Sequence, residues 1–366
     1  MARQQVLILG GRGRIGHSVA DDLLRHTQAV VVITGRRPAA EVAAAELDER
    51  LRYCCLDLAD REGLEQAIAS SQVVVHCAGP FHYRDETVLD LCIHHGINYV
   101  DVSDCVSYTR KMLARREAAQ QAGVTAVVNT GIFPGISNSM VRQCVEQLDD
   151  VEEIHLSYVV SGSGGAGLTV MRTTFLGLMH PFPAWVNGQW VMVTPYSARQ
   201  LIQLPAPYGN AHVYWYEMPE TLTLAETFAV KTVVTKFGSI PDFYNHLTWI
   251  AAHIFPKSWI RSKFGTEFLP QVSYFMTRIT DPWSGIGVGI RAEVKGSKNG
   301  HPKTVVATLV HDNTAIAAGA GTGSIVALLL NGELRQPGVW AVEAVLPTPQ
   351  FEATMRDRQI HISACC

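Results

Sequence analysis

Short apolar blocks alternate with polar, turn-forming stretches through the first third of the chain. Val6–Leu9, Ala29–Thr34 ("AVVVIT"), Tyr53–Leu56, Gln72–Cys77 ("QVVVHC"), Ile97–Val102 and Thr125–Asn129 predict six strands, of which Ala29–Thr34, β-branched, reads as buried. Between them the apolar period lengthens. Ile15, Val19 and Leu23 recur every fourth residue and predict an amphipathic helix. Ala39–Leu47, Leu64–Ile68, Thr87–His94 and Tyr108–Ala122 read as further helices. Strands joined by helices of this length require parallel crossovers, so residues 1–130 predict an α/β fold with a Rossmann-type doubly wound parallel sheet.

The pattern changes after residue 130. Ile154–Val160 alternates as a half-buried strand does, "GSGGAG" (162–167) reads as a flexible loop, and "LTVMRTTFLGL" reads as a helix. Glu293 and Lys295 mark the solvent face of a strand, and "GSKNGHPK" is the hairpin turn that follows it. Residues 131–310 therefore predict a second, α+β domain for substrate binding or dimerisation, with 311–366 a separate C-terminal segment. In that segment "AIAAGAGTGSIVALLL" reads as a glycine-rich turn and a short buried helix stopped at Asn331-Gly332. The run is shorter than the ~20 residues a membrane helix needs, so no transmembrane segment is expected.

Composition narrows the class. A chain of 366 residues with 47% hydrophobic and 17% charged positions forms folded domains, most naturally two. The net charge of −3 argues against a general nucleic-acid binder. The eight cysteines include no CxxC pair and no zinc-like spacing, so no metal is expected and free thiols in a reducing, cytoplasmic setting are the simplest reading. The start "MARQQVLIL" has no signal-peptide layout. Between Phe175 and Trp283 lie 21 of the 30 aromatic residues. There Phe243, Leu247, Ile250 and Ile254 share one side of a helix expected around Phe243–Phe264, with Lys257, Arg261 and Lys263 beyond. Core and homodimer interface is the preferred reading, and peripheral membrane contact the alternative.

The candidate chemistry starts in "VLILGGRGRIGHSVADDLL". Gly11, Gly13 and Gly16 follow a strand and open a helix, the context a dinucleotide-binding turn requires. Gly11 would make the tight turn, Gly13 would admit the pyrophosphate, and Gly16 would allow close helix packing. With Arg12, Arg14 and Ile15 they form the expected phosphate loop. At the end of the second strand, where an NAD site carries an acid for the ribose 2′-hydroxyl, this chain has "ITGRRP". Arg36, with Arg12, could bracket a 2′-phosphate; Arg14 and Arg37 either join them or are solvated charges. The prediction is NADP(H) rather than NAD(H). Asp57 and Leu58 close the third strand, placed for the adenine, or Asp57 is a turn acid or helix cap.

The stretch from Val73 to Asp104 carries Ala78-Gly79-Pro80-Phe81, Cys92, Gly96 and Tyr99-Val100-Asp101 in the order seen in the NADP-binding domain of the saccharopine dehydrogenase family. Residues 5–140 resemble that family closely, and 310–345 ("AGAGTGSIVALLLNGELRQPGVWAVE") more loosely. The resemblance implies a mixed second sheet and a return of the chain to complete the first domain. Ala78, Gly79, Pro80 and Phe81 lie past the fourth strand, where open α/β sheets bind ligands. Gly79 would admit the ribose–nicotinamide linkage, and Phe81 shields the nicotinamide or plugs the domain. Asp104, His82 and Asp101 are the acid/base candidates, Asp101 alternatively a structural hydrogen-bonding acid. His76, Cys77 and Cys105 read as packing residues. Arg172 and Arg199 are the candidate anchors for a substrate carboxylate. The expected function is NADP(H)-dependent hydride transfer to or from a C=N or C=O carbon of a small molecule. The alternatives are a reductase of a hydrophobic carbonyl or enoyl substrate, and a non-catalytic NADP(H)-binding assembly protein.

Overall fold

The computed structural model describes residues 4–38, 48–162, 168–256, 258, 260 and 262–365. The helix expected at Ala39–Leu47, most of the 162–167 loop, and the side chains of Thr173, Lys257, Arg261 and Lys263 lie outside the described residues. The chain forms two compact units, one of Met1–Ile136 with Ala315–Arg358, the other of Ser137–Thr314 with Gln359–Cys366.

In the first unit the apolar blocks form β1 (Gln5–Leu9), β2 (Val30–Gly35), β3 (Leu51–Cys55), β4 (Val73–His76), β5 (Asn98–Asp101) and β6 (Thr125–Val128). They are joined by α1 (Arg14–His26), α2 (Arg61–Ala69), α3 (Thr87–His95), α4 (Val106–Leu113) and α5 (Arg116–Gln121). Every pairing is parallel. Leu9 pairs with His76, and His76 with Asp101. The carboxyl ends of β1, β4 and β5 therefore finish level, and the loops after them share one edge. The chain runs from β1 outward to β3 and then crosses to β4 on the other side of β1. That reversal is the crevice where such sheets take ligands. The single helix expected over 108–122 is two: Arg115 sits in the break at φ −88°, ψ 5°, its Nε 2.8 Å from Asp90 on α3. The helix-forming residues around it carry no trace of that break.

The second unit runs α6 (Ile136–Val145), β7 (Asp150–Ser161), α7 (Leu168–Gly177), β8 (Phe182–Val186), β9 (Gln189–Val193), β10 (Gln200–Gln203), β11 (Asn210–Trp215), α8 (Pro219–Thr227), β12 (Thr232–Ile240), α9 (Phe243–His253), α10 (Lys263–Ser284), β13 (Gly287–Lys298) and β14 (His301–His311). Its mixed sheet contains the order β10-β11-β12-β7-β13-β14, with β12 parallel to β7, β8 paired with β12, and β9 paired with β8. The hairpin turn between β13 and β14 is at Asn299-Gly300, both at positive φ. The helix expected at Phe243–Phe264 ends at His253, and the apolar surface continues on α10 as a separate element.

The chain returns through α11 (Thr314–Asn331), β15 (Gly338–Ala341), α12 (Val342–Val345) and α13 (Thr348–Asp357), and ends in β16 (Ile362–Cys365). β15 pairs parallel with β6 as a seventh strand of the first sheet. The last segment does not all stay there, since β16 pairs with β14 in the second unit. The expected glycine turn at 315–323 is instead continuous helix. The small residues serve close approach: a Cβ on Gly319 would lie 2.7 Å from the Ser18 backbone, and one on Gly323 2.1 Å from the Asp22 carboxylate, both on α1. Tertiary packing outweighs the roughly 1 kcal/mol each glycine costs a helix. Long and apolar enough by composition to cross a membrane, α11 has 78% of that stretch buried inside the protein.

Candidate functional site

Gly10, at φ +76°, makes the turn out of β1, and its amide donates to Thr34 Oγ1 at 3.1 Å. The left-handed residue is thus Gly10, one position before the Gly11 expected to fill that role. Gly11 instead lies under β2, where a Cβ would meet Ile33 at 2.5 Å. Gly16 packs as expected, a Cβ there falling 2.5 Å from the Gly10 carbonyl. Gly13 precedes α1 with no side-chain cap. The first-turn amides of α1, Ile15 and Gly16 among them, point out of the helix end as anion donors do. Arg14 is exposed at the same turn.

Arg12 leaves this loop across the end of β2. Its Cδ is the atom a Cβ on Gly35 would meet at 2.9 Å, and its guanidinium carbon lies 5.9 Å from the centre of the Tyr53 ring. Tyr53 donates its hydroxyl proton to the Arg37 carbonyl at 2.5 Å. Arg12, Arg36 and Arg37 are all exposed, so among the described residues the end of β2 presents guanidinium groups. Asp57 is exposed, its carboxylate accepting from the Ala59 amide at 3.0 Å, which is the turn-acid geometry; the cap of α2 is Asp60. Leu58 packs at the margin of the core.

Opposite the glycine loop stands the turn after β4. A Cβ on Gly10 would lie 2.8 Å from the Ala78 Cα, so the two backbones touch. Arg84 Nε donates to the Ala78 carbonyl at 2.8 Å and braces the turn. At Gly79 a Cβ would meet nothing closer than the Phe81 ring at 3.7 Å, so the fold does not require glycine there and the space above it is open. Pro80 leads into a 3-10 turn at Phe81–Tyr83. Phe81 is buried against Tyr108 and His76, ring centres 5.0 and 5.1 Å away, so it plugs the core.

Asp101 is buried and accepts from the Ser103 and Asn129 amides, each at 3.0 Å, tying the end of β5 to that of β6. Burial pushes its carboxyl up to about 6 against the pull of those amides. His76 is wholly buried and held neutral, down to about 3, by loss of solvent. Its Nδ1 accepts from the Ala78 amide at 3.3 Å. Cys77 has its thiol pushed up by burial and then by Asp101, so it is a poor nucleophile. Cys105 is half-buried. Asp104, partly covered beyond the end of β5, is pushed up to about 6 by desolvation. A carboxyl with that value exchanges protons near neutral pH. His82 is exposed beside Tyr83.

The candidate anchors lie in the second unit and already hold carboxylates. Arg172 on α7 pairs with Glu267 on α10. Arg199 pairs with Asp242 at 2.9 Å and bonds His212 Nδ1 at 3.0 Å. The residues that motif spacing missed are Gly10, Thr34, Tyr53 and Arg84. Only Gly10, the first of a Gly-Gly pair, carried a signal.

Comparison with known proteins agrees with this geometry. Residues 6–127 match the model of the saccharopine dehydrogenase NADP binding domain. The carboxynorspermidine synthase of Vibrio cholerae is 24% identical over 306 residues, 75% of this chain and 73% of that one. The saccharopine dehydrogenase-like oxidoreductase of Rattus norvegicus is 20% identical over 49% of this chain and 46% of its own. In fold, the chain superposes on the apo saccharopine dehydrogenase (L-Glu forming) of Saccharomyces cerevisiae with a TM-score of 0.70, at 14% identity, over 99% of this chain and 100% of that one. Residues 6–127 are thus similar to a saccharopine dehydrogenase NADP binding domain, and the fold of the chain is like that of a saccharopine dehydrogenase.

Proposed function

We propose that the protein is an NADP(H)-dependent oxidoreductase acting on a C=N or C=O carbon. The observation that carries this reading is the end of β2, where Arg12 lies across Gly35 and Tyr53 and Arg36 follows in the chain, exposed. In it the first-turn amides of α1 hold the pyrophosphate, Arg12 and Arg36 grip the 2′-phosphate, Leu58 and Asp57 border the adenine, and the open space at Gly79 receives the nicotinamide end. The bound cofactor supplies or accepts a hydride. Asp104 handles the proton at the reacting carbon, since it lies just beyond the end of β5, partly covered, with its carboxyl raised toward neutrality by desolvation. Asp101 holds β5 to β6 and positions that loop.

A second reading is favoured by the engagement of Arg172 and Arg199 in ion pairs of their own. Fewer cations remain for a polycarboxylate, which suits a hydrophobic carbonyl or enoyl substrate. Assays of NADPH oxidation with 2-oxo acids plus amines, and separately with long-chain carbonyls, decide between the two. Tight NADPH binding with turnover of neither class would instead establish a non-catalytic binding protein.

The homodimer reading rests on α10. Phe268, Val272, Phe275 and Ile279 are 44%, 37%, 66% and 52% exposed. Their spacing of four, three and four residues reads the same in both directions. Two copies of α10 can therefore lie antiparallel across a two-fold axis, Val272 facing Phe275 and Phe268 facing Ile279. Phe275→Glu is expected to halve the mass measured by light scattering with the circular dichroism unchanged. A wild-type chain already monomeric at assay concentration would refute this interface.

A further inference from the structure

Glu65 on α2 and His94 and His95 in the last turn of α3 form a group the cofactor site does not use. One carboxylate oxygen and two imidazole nitrogens lie within 4.8 Å of one another. His95 Nε2 is 3.0 Å from Glu65 Oε1, and the two imidazoles meet edge to face with centres 4.9 Å apart. Consecutive residues of a helix ordinarily point about 100° apart. Here they occupy the closing turn, which Gly96 caps at φ 68° with its amide shared between the Cys92 and Ile93 carbonyls. His94 is exposed, while His95 and Glu65 are partly covered, so the trio opens toward solvent. Three protein ligands with an open position are the arrangement that holds zinc together with water. Two imidazoles and one carboxylate suit Zn²⁺, Cu²⁺ or Ni²⁺, whereas Mg²⁺ and Ca²⁺ take oxygen sets.

We infer that Glu65, His94 and His95 bind a divalent transition-metal ion of the zinc class, which pins α2 to α3. The expectation of no metal came from cysteine spacing. This set has no cysteine, and its carboxylate stands far from the histidines in sequence, so only the packing of α2 on α3 assembles it. The ion would join the middle of α2 to the last turn of α3, so it would act on the packing of these two helices. The inference does not depend on the oxidoreductase reading.

The test is zinc titration of the untagged full-length chain by calorimetry, with thermal melts in zinc, in magnesium and in chelator. Saturable uptake of one ion per chain and a melting temperature raised by zinc but not by magnesium are expected. Glu65→Gln keeps the hydrogen bond to His95 but removes the anionic ligand, and His94→Ala alters an exposed residue. Each should weaken zinc by about tenfold or more, the least that follows even from removing a group bonded to a ligand, with the melting temperature in chelator unchanged. No saturable uptake, uptake unchanged in both variants, or an equal response to magnesium would overturn the assignment.

Discussion

The double variant Arg12→Ala/Arg36→Ala is expected to bind NADPH at least about a hundredfold more weakly than the wild type, with NADH affinity changed by less than about threefold. A hydrogen bond to a charged group contributes about 1.5–3 kcal/mol, and each 1.4 kcal/mol is a factor of ten, so two lost guanidinium contacts reach that range. NADH lacks the phosphate those groups would grip and has little to lose. Both side chains are exposed, so substitution there should leave stability within about 0.5 kcal/mol. The two positions need not contribute equally. Arg12 is pre-oriented by Gly35 and the Tyr53 ring, whereas Arg36 has no described partner ordering it. Arg12→Ala alone should therefore cost more than Arg36→Ala alone, and Arg36→Glu should exceed Arg36→Ala through added repulsion. Titration calorimetry with both nucleotides makes the comparison, and equal losses for NADPH and NADH would remove the basis of the cofactor assignment at this site.

What was legible in the sequence follows from how far each signal reaches along the chain. Strands β1, β2, β4, β5 and β6 are visible because their burial demands largely apolar runs, and the phosphate loop is visible because a tight turn demands glycines. Those demands are local. The choice of Gly10 over Gly11 as the left-handed residue depends on Ala78 lying against it, which no local pattern records. The helical state around Gly319 and Gly323 depends on α1 offering Ser18 and Asp22 to glycines that by composition favour a turn. The pairing of Arg172 with Glu267 and of Arg199 with Asp242 is equally non-local. The sequence marks both arginines as candidate carboxylate anchors, but the carboxylates they hold stand 95 and 43 residues away in the chain. In each case a contact distant in sequence overrode a sound local preference.

Arg358→Met is expected to destabilise the first unit by about 3–5 kcal/mol, the cost of leaving one member of a buried ion pair uncompensated. Arg358 Nε lies 2.9 and 3.1 Å from the two Asp22 oxygens, and its Nη2 donates to Oδ2 at 2.9 Å. The side chains are 4% and 8% exposed. Asp22 is on α1, the helix that opens at the phosphate loop, and Arg358 ends the segment that returns after β15. The pair therefore fastens that return to the loop's own helix, beneath the close approach of Gly323. For a unit of this size the loss corresponds to about 10 °C in melting temperature. The pH dependence has a definite sign. Burial already holds the Asp22 carboxyl above its ordinary range despite Arg358, and removing the guanidinium raises it further. An acid whose folded pKa is raised favours the folded state at low pH and loses that contribution as pH rises through the folded value. The gap between wild type and Arg358→Met should thus be widest above neutrality and narrow on acidification. Adding Asp22→Asn to Arg358→Met removes the stranded charge and should restore much of the loss at pH 7.5. A gap independent of pH, with no rescue by the second substitution, would mean that packing of the arginine stem rather than its charge secures the returning segment.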